Sequence, residues 1–278
     1  MNEKKIIGLI AGAGRLPFLV AQGAKQAGLK VVCAGLGDNP DPGLADEVDF
    51  YVQVPLARPG AWIRKLKSQG ATDAIMVGKV QKEKLFTPWR ILKYLPDWRA
   101  IRIYYWRLRK KNKSDQVILQ AIADELASGG VILQDSTKFC KEHLADKGVM
   151  TKTQPPADIR QDIDFGWPLL KSIAQMGIGQ AIAVKERTVI AVEAVEGTEK
   201  MIARAGQTCK KGFWTLLKAS KPDQDARFDM PCVGPDTIKA LSQNGGSCLV
   251  VEAAKTIIID KPQTIELANK LNIAVLGY

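Results

Sequence analysis

The fold is decided by residues 5–17, which read K-I-I-G-L-I-A-G-A-G-R-L-P. The apolar run at 5–11 predicts a first β-strand, and the glycines that follow predict a tight turn. A glycine-ended helix is then predicted at 19–28 and a second strand at 30–34. Strand, turn, helix and strand in this order predict an α/β protein with parallel strands and a right-handed crossover.

The alternation of strands and helices continues on both sides of one weaker stretch. Between residues 136 and 159 the apolar pattern fades, and lysines, a glycine and the pair Pro155-Pro156 occur. We therefore predict an N-terminal domain over 1–135, a linker region over 136–159 and a C-terminal domain over 160–278. In the C-terminal domain the pattern predicts helices near 169–176, 199–205, 236–243 and 261–271, and strands near 181–184, 189–192, 213–218, 248–252, 256–260 and 273–276.

The amino-acid composition limits the classes of protein to which this chain can belong. Hydrophobic residues make up 46% of the chain, enough for ordinary cores. The apolar runs are strand-sized and fall short of the ~20 residues that span a bilayer. The N-terminus lacks a signal-peptide cleavage pattern, so we expect a cytoplasmic protein. The net charge of +11 predicts an anionic partner, which is a nucleic acid, a phosphorylated substrate or a lipid surface.

Cysteine and histidine usage argues against several kinds of site. The five cysteines occur singly, without a C-x-x-C pair, which argues against a zinc ribbon or a disulfide framework and fits a reducing compartment. His143 is the only histidine, so a histidine-based zinc site or a Ser-His-Asp triad would depend on it alone. We expect His143 to be a solvated residue at a helix end.

A loop rich in carboxylates is predicted at residues 218–234, K-A-S-K-P-D-Q-D-A-R-F-D-M-P-C-V-G, directly after an apolar strand. Two prolines bracket its charged residues and favour extended backbone before them, so the loop should be ordered. Carboxylates in a rigid loop can hold a hard cation such as Mg²⁺. The alternative is a polar surface turn. The charged residues are Asp223, Asp225, Arg227 and Asp229.

The glycine turn at Gly12, Ala13 and Gly14 is a candidate phosphate contact, because backbone N–H groups can approach an anion at a helix N-terminus. The dinucleotide fingerprint requires a third glycine where this chain has Pro17, which argues against NAD. A plain tight turn is equally consistent with the pattern. Lys79 follows the strand predicted at 74–78 and should lie where ligands gather in open α/β sheets.

Two glutamates flank the end of a predicted strand in the run A-V-E-A-V-E-G-T at residues 191–198. Buried carboxylates are costly unless they are paired or bind a metal. If the strand is interior, Glu193 and Glu196 need a lysine or a metal ion as a partner. The alternative is an exposed strand end at which Thr198 caps the next helix.

Residues 93–113 mix arginines and lysines with tryptophans and tyrosines. An apolar helix face flanked by cations suits a membrane surface. The same mixture suits single-stranded nucleic acid. A third possibility is an amphipathic helix that packs on its own sheet and leaves a solvated basic face.

Four stretches, in order along nearly the whole chain, resemble the LpxI family, the UDP-2,3-diacylglucosamine pyrophosphatases of lipid A biosynthesis in some Gram-negative bacteria. They are G-L-I-A-G-A-G-R-L-P at 8–17, A-V-E-A-V-E-G-T-E at 191–199, K-P-D-Q-D-A-R-F-D-M-P-C-V-G at 221–234 and V-E-A-A-K-T-I-I-I-D at 251–260. The second and third together are specific to the family. Lys79 and the basic aromatic stretch at 98–113 depart from it.

The resemblance implies two α/β domains, an N-terminal Rossmann-like one and a C-terminal catalytic one of mixed α/β structure, with a lipid-binding chamber between them. It implies hydrolysis of UDP-2,3-diacylglucosamine to UMP and 2,3-diacylglucosamine 1-phosphate (lipid X), with Mg²⁺ or Mn²⁺ as the cofactor and water attacking the sugar-side phosphorus. The enzyme would be cytoplasmic and peripheral to the inner membrane. A homodimer is expected from the family, and a nucleic-acid partner is not.

The family's R-x-D-x-P setting, here residues 227–231, makes Asp229 the expected catalytic residue. Asp225 ranks second, and Arg227 completes the catalytic set. A metal is expected on Asp229 and Glu196, while Arg227 and Lys221 would clamp phosphate oxygens. The substrate contacts are expected to be Gly12, Ala13, Gly14, Lys79, Gln180, Glu193, Glu196, Thr198 and Lys221.

Two other functions are compatible with parts of the sequence. An oxidoreductase that uses NAD or a nucleotide sugar could be built on the N-terminal βαβ unit, although the missing third glycine argues against it. A basic protein that binds nucleic acid or membrane without catalysis would lose affinity steeply with salt. A cluster of carboxylates is unhelpful for such binding, which argues against this second function.

Overall fold

A computed structural model describes residues 5–80, 95–103, 105, 115–222, 224–228 and 230–278. The chain divides into two units. The first contains residues 1–140 and returns for Ala226–Phe228, and the second contains Lys141–Asp225 and Asp229–Tyr278. The division at residue 140 falls inside the stretch predicted as a linker.

The first unit is built on a five-stranded parallel sheet in the order β3-β2-β1-β4-β5. The order reverses between β1 and β4, which makes this pair the topological switch point of the sheet. The strands are β1 (Ile6–Ala11), β2 (Lys30–Leu36), β3 (Phe50–Val54), β4 (Asp73–Val77) and β5 (Ile132–Leu133), and the helices are α1 (Leu16–Gln26), α2 (Pro59–Ser68), α3 (Trp98–Arg102) and α4 (Asp115–Ser128), with a 3-10 turn at Pro42–Glu47.

The strands of the first unit are near-continuous apolar runs because helices cover both faces of a parallel sheet. Ile10, Ala34 and Ala74 are fully buried and join the core formed with Leu66 of α2 and Leu126 of α4. The predicted N-terminal strands and helices are confirmed within a few residues at each end. The parallel order predicted from residues 5–34 is also confirmed.

The second unit is built on a six-stranded mixed sheet in the order β6-β13-β11-β9-β7-β8. The three central strands β13, β11 and β9 are parallel, whereas β6, β7 and β8 form antiparallel pairs. A separate two-stranded sheet pairs β10 with β12. The strands are β6 (Gly148–Val149), β7 (Ala181–Lys185), β8 (Thr188–Val192), β9 (Trp214–Lys218), β10 (Cys232–Val233), β11 (Gly246–Val251), β12 (Ile257–Ile258) and β13 (Ala274–Gly277), and the helices are α5 (Ile159–Gln175), α6 (Thr198–Thr208), α7 (Pro235–Gln243) and α8 (Lys261–Lys270), with a 3-10 turn at Lys141–His143.

Helix α5 begins ten residues before the helix predicted at 169–176, so that predicted start is wrong. Pro168 lies inside it and cannot donate a backbone hydrogen bond, which is why the sequence favoured a later start. Burial outweighs that loss, because Ile159, Ile163 and Leu170 recur at helical spacing and pack on the β7 and β9 side chains of one core. The predicted hairpin of β7 and β8 is confirmed.

His143 differs from its prediction. Its side chain is only 14% exposed, and Nδ1 accepts a hydrogen bond from the N–H of Lys261 at 3.3 Å. The expectation of a solvated histidine is therefore wrong, because α8 begins directly against the turn that carries it. None of the helices within the described residues is long and apolar enough to cross a membrane.

Candidate functional site

The glycine turn of the first unit is locked to the end of β4 by backbone hydrogen bonds. Gly12 N–H donates to the Val77 carbonyl and Ala13 N–H to the Lys79 carbonyl, each at 2.8 Å, and Lys79 N–H donates back to Ala13 at 2.9 Å. A Cβ on Gly12 would lie 2.7 Å from the Lys79 carbonyl oxygen, so no other residue fits without a backbone shift. The predicted residues Gly12, Ala13 and Lys79 therefore meet at the switch point of the sheet.

These hydrogen bonds change the interpretation of the turn. The N–H groups of Gly12 and Ala13 already serve the backbone of β4 and its following turn. Gly14 is exposed and adopts a φ of 100°, a conformation that favours glycine. The two glycines thus have separate tasks, because Gly12 permits a close approach of backbone and Gly14 permits the turn into α1.

In the second unit, the start of β7 and the ends of β8 and β9 bring four polar residues together. Glu193 accepts a hydrogen bond from the Thr198 hydroxyl at 2.5 Å and from the N–H of Gln180 at 3.1 Å. Lys218 Nζ donates to the same Thr198 oxygen at 2.7 Å. We call these four residues the Glu193 cluster.

The Glu193 cluster satisfies the requirement that a buried carboxylate be paired. Glu193 and Lys218 are both buried, and the Thr198 hydroxyl connects them. The predicted site residues Gln180, Glu193 and Thr198 are therefore brought together. Gly197 occupies the N-cap of α6, so the alternative of a capping Thr198 is wrong.

Glu196 lies beside the Glu193 cluster in sequence but has a different partner. Arg204, two turns along α6, donates a hydrogen bond to Glu196 Oε1 at 2.6 Å. The hydrogen bond from the backbone N–H of Glu196 itself and the Arg204 guanidinium lower the pKa of this carboxyl. Glu196 is thus an ionised, partly exposed carboxylate near neutral pH, as a metal ligand must be.

A second carboxylate, that of the partly buried Glu252, follows β11 and binds the chain that leaves β9. Glu252 Oε2 accepts hydrogen bonds from the N–H of Ser220 at 2.9 Å and from its hydroxyl at 2.6 Å. Lys171 contacts both carboxylate oxygens, at 3.0 and 3.2 Å, and Lys255 contacts Oε1 at 3.0 Å. We call these four residues the Glu252 cluster.

The surroundings of Glu252 favour its charged form. Burial raises the pKa of this carboxyl, but the hydrogen bonds from Ser220, Lys255 and Lys171 outweigh burial and hold the pKa below its ordinary value. Lys171 also donates to the Ser220 carbonyl at 3.0 Å. The Lys171 ammonium and the Glu252 carboxylate therefore bind different groups of the same residue, Ser220. The Glu252 cluster therefore fixes the first residues of the carboxylate loop.

The described part of the carboxylate loop divides between the two units. Ala226 accepts hydrogen bonds from the N–H and the hydroxyl of Ser136, at 2.8 and 2.7 Å. Arg227 donates to Gln120 Oε1 at 2.7 Å, and Phe228 is buried in the core of the first unit. Lys221 and Asp225 are half-buried and belong to the second unit.

Asp223 and Asp229 lie outside the described residues. The prediction that Asp229 is catalytic therefore stays a prediction. Within the described residues, no group of three or more histidine, cysteine, aspartate or glutamate side chains is arranged to hold a metal ion. The donor chemistry of the candidates nevertheless fits Mg²⁺ or Mn²⁺, because Asp225, Asp229 and Glu196 supply the carboxylate oxygens that such cations prefer.

Sequence reasoning missed Lys218, Glu252 and Lys171. A signal existed for two of them, because the apolar runs L-L and L-V-V each end directly in a charged residue, Lys218 and Glu252. Their partners depend on strand register, which pairs Val251 with Lys218 and Ala181 with Lys218. Burial raises the pKa of the Cys33 and Cys248 thiols to about 12, so neither is a nucleophile near neutral pH.

An open depression of ≈ 380 Å³ lies at the C-terminal ends of α6 and α7. None of the predicted site residues lines it. Its lining is formed by Gly206, Gln207, Cys209, Lys210, Gly212, Gln243, Asn244 and Gly245. We therefore place the candidate site at the strand ends and not in this depression.

Comparison with known proteins gives consistent matches along the chain. A protein from Caulobacter vibrioides named UDP-2,3-diacylglucosamine pyrophosphatase LpxI is 28% identical over 280 residues, covering 98% of this chain and 96% of that protein. Among solved structures, phosphoribosylglycinamide synthetase from Anaerococcus prevotii covers 75% of this chain and 43% of its own, at 12% identity and a TM-score of 0.24. A likeness at that level carries no argument.

Family models match both halves of the chain. The model of the LpxI N-terminal domain matches residues 6–143, and the model of the LpxI C-terminal domain matches residues 146–276. The boundary between the two matches lies close to the division of the structure at residue 140. The chain therefore belongs to the LpxI family.

Proposed function

We propose that this protein hydrolyses the pyrophosphate of UDP-2,3-diacylglucosamine to UMP and 2,3-diacylglucosamine 1-phosphate. The observation that carries the proposal is the match to a UDP-2,3-diacylglucosamine pyrophosphatase over 98% of this chain. The charged strand ends of the second unit support it, because a pyrophosphate substrate needs cations and positioned polar groups around it. Because its substrate and product would carry acyl chains, we propose that the enzyme works at the surface of the inner membrane.

We assign the metal to carboxylates. Asp229 and Glu196 would hold Mg²⁺ or Mn²⁺, with Asp225 as a further oxygen donor. When bound, the cation neutralises the negative charge that develops on the phosphate oxygens. The ion pair of Glu196 with Arg204 fixes the direction of this carboxylate before any metal arrives.

The chain's own residues have separate tasks in this proposal. Lys221 and Arg227 bind phosphate oxygens, and the bond from Arg227 to Gln120 orients the guanidinium. The Glu252 cluster positions the start of the loop that carries Lys221. Asp229 orients the water that attacks the sugar-side phosphorus, so the bond to the bridging oxygen breaks and UMP leaves.

The first experiment is mass spectrometry of the organic extract of purified protein, wild type beside Asp229→Ala. We expect UDP-2,3-diacylglucosamine in the variant and 2,3-diacylglucosamine 1-phosphate in the wild type, because a catalytically dead enzyme keeps its substrate. Asp236→Ala is the matched control, since Asp236 is an exposed aspartate of α7 and should behave as wild type. Product in the Asp229→Ala extract would contradict the role of Asp229.

A release assay tests the reaction itself. Purified enzyme with substrate in detergent micelles should release UMP in the presence of Mg²⁺ or Mn²⁺ and stop when the cation is chelated. We expect Asp229→Ala to lower the rate by about 10³-fold or more, the range seen when a principal electrostatic group is removed. Release that persists in a chelator would overturn the metal requirement while leaving the hydrolysis in place.

A further inference from the structure

The positive charge of this protein is concentrated in one stretch. Residues 82–113 hold eleven lysines and arginines and two acids, a net charge of +9 out of +11 for the whole chain. Three of the six tryptophans and three of the five tyrosines lie in the same stretch. The rest of the chain is close to neutral, so overall charge balance does not explain this concentration.

Helix α3 is held to the first unit at its beginning. The Asp97 carboxylate accepts hydrogen bonds from the N–H of Gly60 at 2.7 Å and from the N–H of Ala100 at 2.9 Å. Arg58 Nε donates to the carbonyl of Leu95 at 2.9 Å. These contacts fix the backbone of residues 95–100 on the start of α2.

The arginines of α3 are turned toward the unit. Glu125 of α4 is fully buried, and Arg99 and Arg102 each contact its Oε1 at 2.5 Å. Both also contact the Ser128 hydroxyl, at 3.0 and 3.1 Å. Burial raises the pKa of the Glu125 carboxyl, but the two guanidinium groups outweigh burial and lower it, so the cluster is charged at neutral pH.

Three large side chains of the same segment are exposed instead. Trp98 is 70% exposed, Leu95 is 52% exposed and Tyr105 is 56% exposed, whereas Ile103 is buried against Ala121 of α4. Over the described residues 95–103 and 105, the arginines therefore have internal partners and the exposed side chains are apolar or aromatic. Because the arginines are held in internal ion pairs while a tryptophan is exposed to solvent, this segment has an apolar surface suited to binding a partner.

We infer that Leu95, Trp98 and Tyr105 form a surface that docks on an anionic lipid bilayer. We call these three residues the Trp98 patch. Tryptophan and tyrosine favour the level of the lipid headgroups, and a leucine beside them adds apolar area that enters the bilayer. The net charge of +9 that the sequence carries over residues 82–113 favours an anionic membrane surface. Leu95 also favours lipid over nucleic acid, because base stacking requires aromatic or guanidinium groups.

This inference rests in part on the proposed function, since a substrate with two acyl chains resides in a membrane. It goes further in naming which surface meets the bilayer. Docking through the Trp98 patch would bring the first unit to the headgroup layer, and Glu125 would fix the orientation of α3 there.

Sedimentation with vesicles tests the inference without any substrate. The probes are phosphatidylcholine vesicles with and without roughly 30 mol% phosphatidylglycerol, at low and high salt. We expect the wild type to bind the anionic vesicles alone, and Trp98→Ala to need about tenfold more lipid for half-binding. Leu95→Ala should need about threefold more, because its side chain is smaller and half-exposed.

Phe213→Ala is the matched control, since Phe213 is an aromatic side chain of the second unit with 71% exposure. It should bind vesicles as the wild type does. Equal binding of wild type and Trp98→Ala would overturn the inference. It would also fail if Trp98→Ala lost affinity for a single-stranded oligonucleotide and kept its affinity for vesicles.

Hydrolysis in detergent micelles separates this inference from the proposed function. Trp98 is exposed and outside the candidate site, so Trp98→Ala should release UMP from micellar substrate at the wild-type rate. Absence of hydrolysis by the wild type would count against the proposed function, and the vesicle experiment would still decide the role of the patch. An unchanged thermal unfolding midpoint for Trp98→Ala confirms that the variant is folded.

Discussion

The strand ends of the two units are joined by different kinds of groups. In the first unit, Gly12 follows β1 and Gly78 follows β4, and backbone hydrogen bonds join the two turns. In the second unit, β9 and β11 end next to Lys218 and Glu252, and charged side chains join the strand ends. In the first unit the close approach of the two turns requires glycines, which have no side chain. In the second unit the contacts between strand ends require charged side chains.

This difference separates two ways of preparing a surface for a phosphorylated ligand. A backbone edge has a fixed shape and no group that titrates near neutral pH. Strand ends joined by charged side chains can change their charge with pH. Such side chains can also leave an internal partner and bind a ligand. The four substitutions that follow test this contrast, from the largest expected loss of stability to the smallest.

Glu252→Ala should have the largest effect. The substitution leaves the N–H and hydroxyl of the fully buried Ser220 without their acceptor and separates Lys171 from its counter-charge. We expect a loss of about 4 kcal/mol in the free energy of unfolding, measured by urea denaturation of the whole chain. The control is Lys255→Ala, which removes an exposed partner of Glu252 and should cost less than about 1 kcal/mol. Equal losses in the two variants would contradict the role of Glu252 as the acceptor for the buried Ser220.

The pH dependence of this loss follows from the lowered pKa of Glu252. A carboxyl whose pKa is lower in the folded protein stabilises the fold above its unfolded-state pKa, here near 4.5. That contribution disappears as the pH falls through the folded-state pKa. The difference between wild type and Glu252→Ala should therefore be constant from pH 6 to 8 and narrow below about pH 4.5.

Gly12→Ala should have the next largest effect and no such pH dependence. Its Cβ would meet the Lys79 carbonyl oxygen at 2.7 Å and the Gly78 carbonyl carbon at 2.8 Å, so the backbone of one turn must move. We expect a loss of about 3 kcal/mol at every pH between 5 and 8. Gly43→Ala is the control, because its Cβ would have only an ordinary contact with Asp41 at 3.4 Å. A loss that changed with pH would argue that Gly12 acts through a charged neighbour.

Much of the fold could be predicted from the sequence because the central strands of both sheets are mostly buried. Runs such as I-I-G-L-I-A and A-I-M-V stand out as apolar, and glycine or proline punctuates the chain after them. The start of α5 could not be predicted, because Pro168 carries a strong local signal against a helix. Only the cores made by Ile163 and Leu170 show that tertiary packing outweighs it.

The candidate site could be predicted in part. Glu193 was identified because a glutamate just after an apolar run needs a partner, whereas Thr198 was expected as a helix cap or, from the family resemblance, as a substrate contact. Lys218 was missed as that partner, since it lies twenty residues further along and meets Thr198 only through the pairing of β7 with β9. The use of the Gly12 N–H by β4 was unpredictable for the same reason, because it depends on which strand lies beside β1.

Thr198→Val tests the Glu193 cluster. Valine keeps the shape of threonine and removes the hydroxyl that connects Lys218 with Glu193. We expect a loss of about 1–2 kcal/mol in urea denaturation, because two charged groups lose one neutral hydrogen-bond partner. Thr198→Ser keeps the hydroxyl and should retain most of the stability. A serine variant as unstable as the valine variant would show that the methyl group, and not the hydroxyl, matters here.

Of these four substitutions, Glu196→Gln should change stability least, and its effect on the Mg²⁺ requirement separates a metal ligand from a structural residue. Its ion pair with Arg204 is partly exposed, so we expect a change within about 0.5 kcal/mol. If Glu196 holds the cation, the Mg²⁺ concentration for half-maximal UMP release should rise about tenfold or more, because an amide oxygen replaces a charged ligand. Glu199→Gln, an exposed glutamate in the first turn of α6, is the matched control and should keep the wild-type requirement. A wild-type Mg²⁺ requirement in Glu196→Gln would limit Glu196 to binding Arg204 and leave the cation to the aspartates of the carboxylate loop.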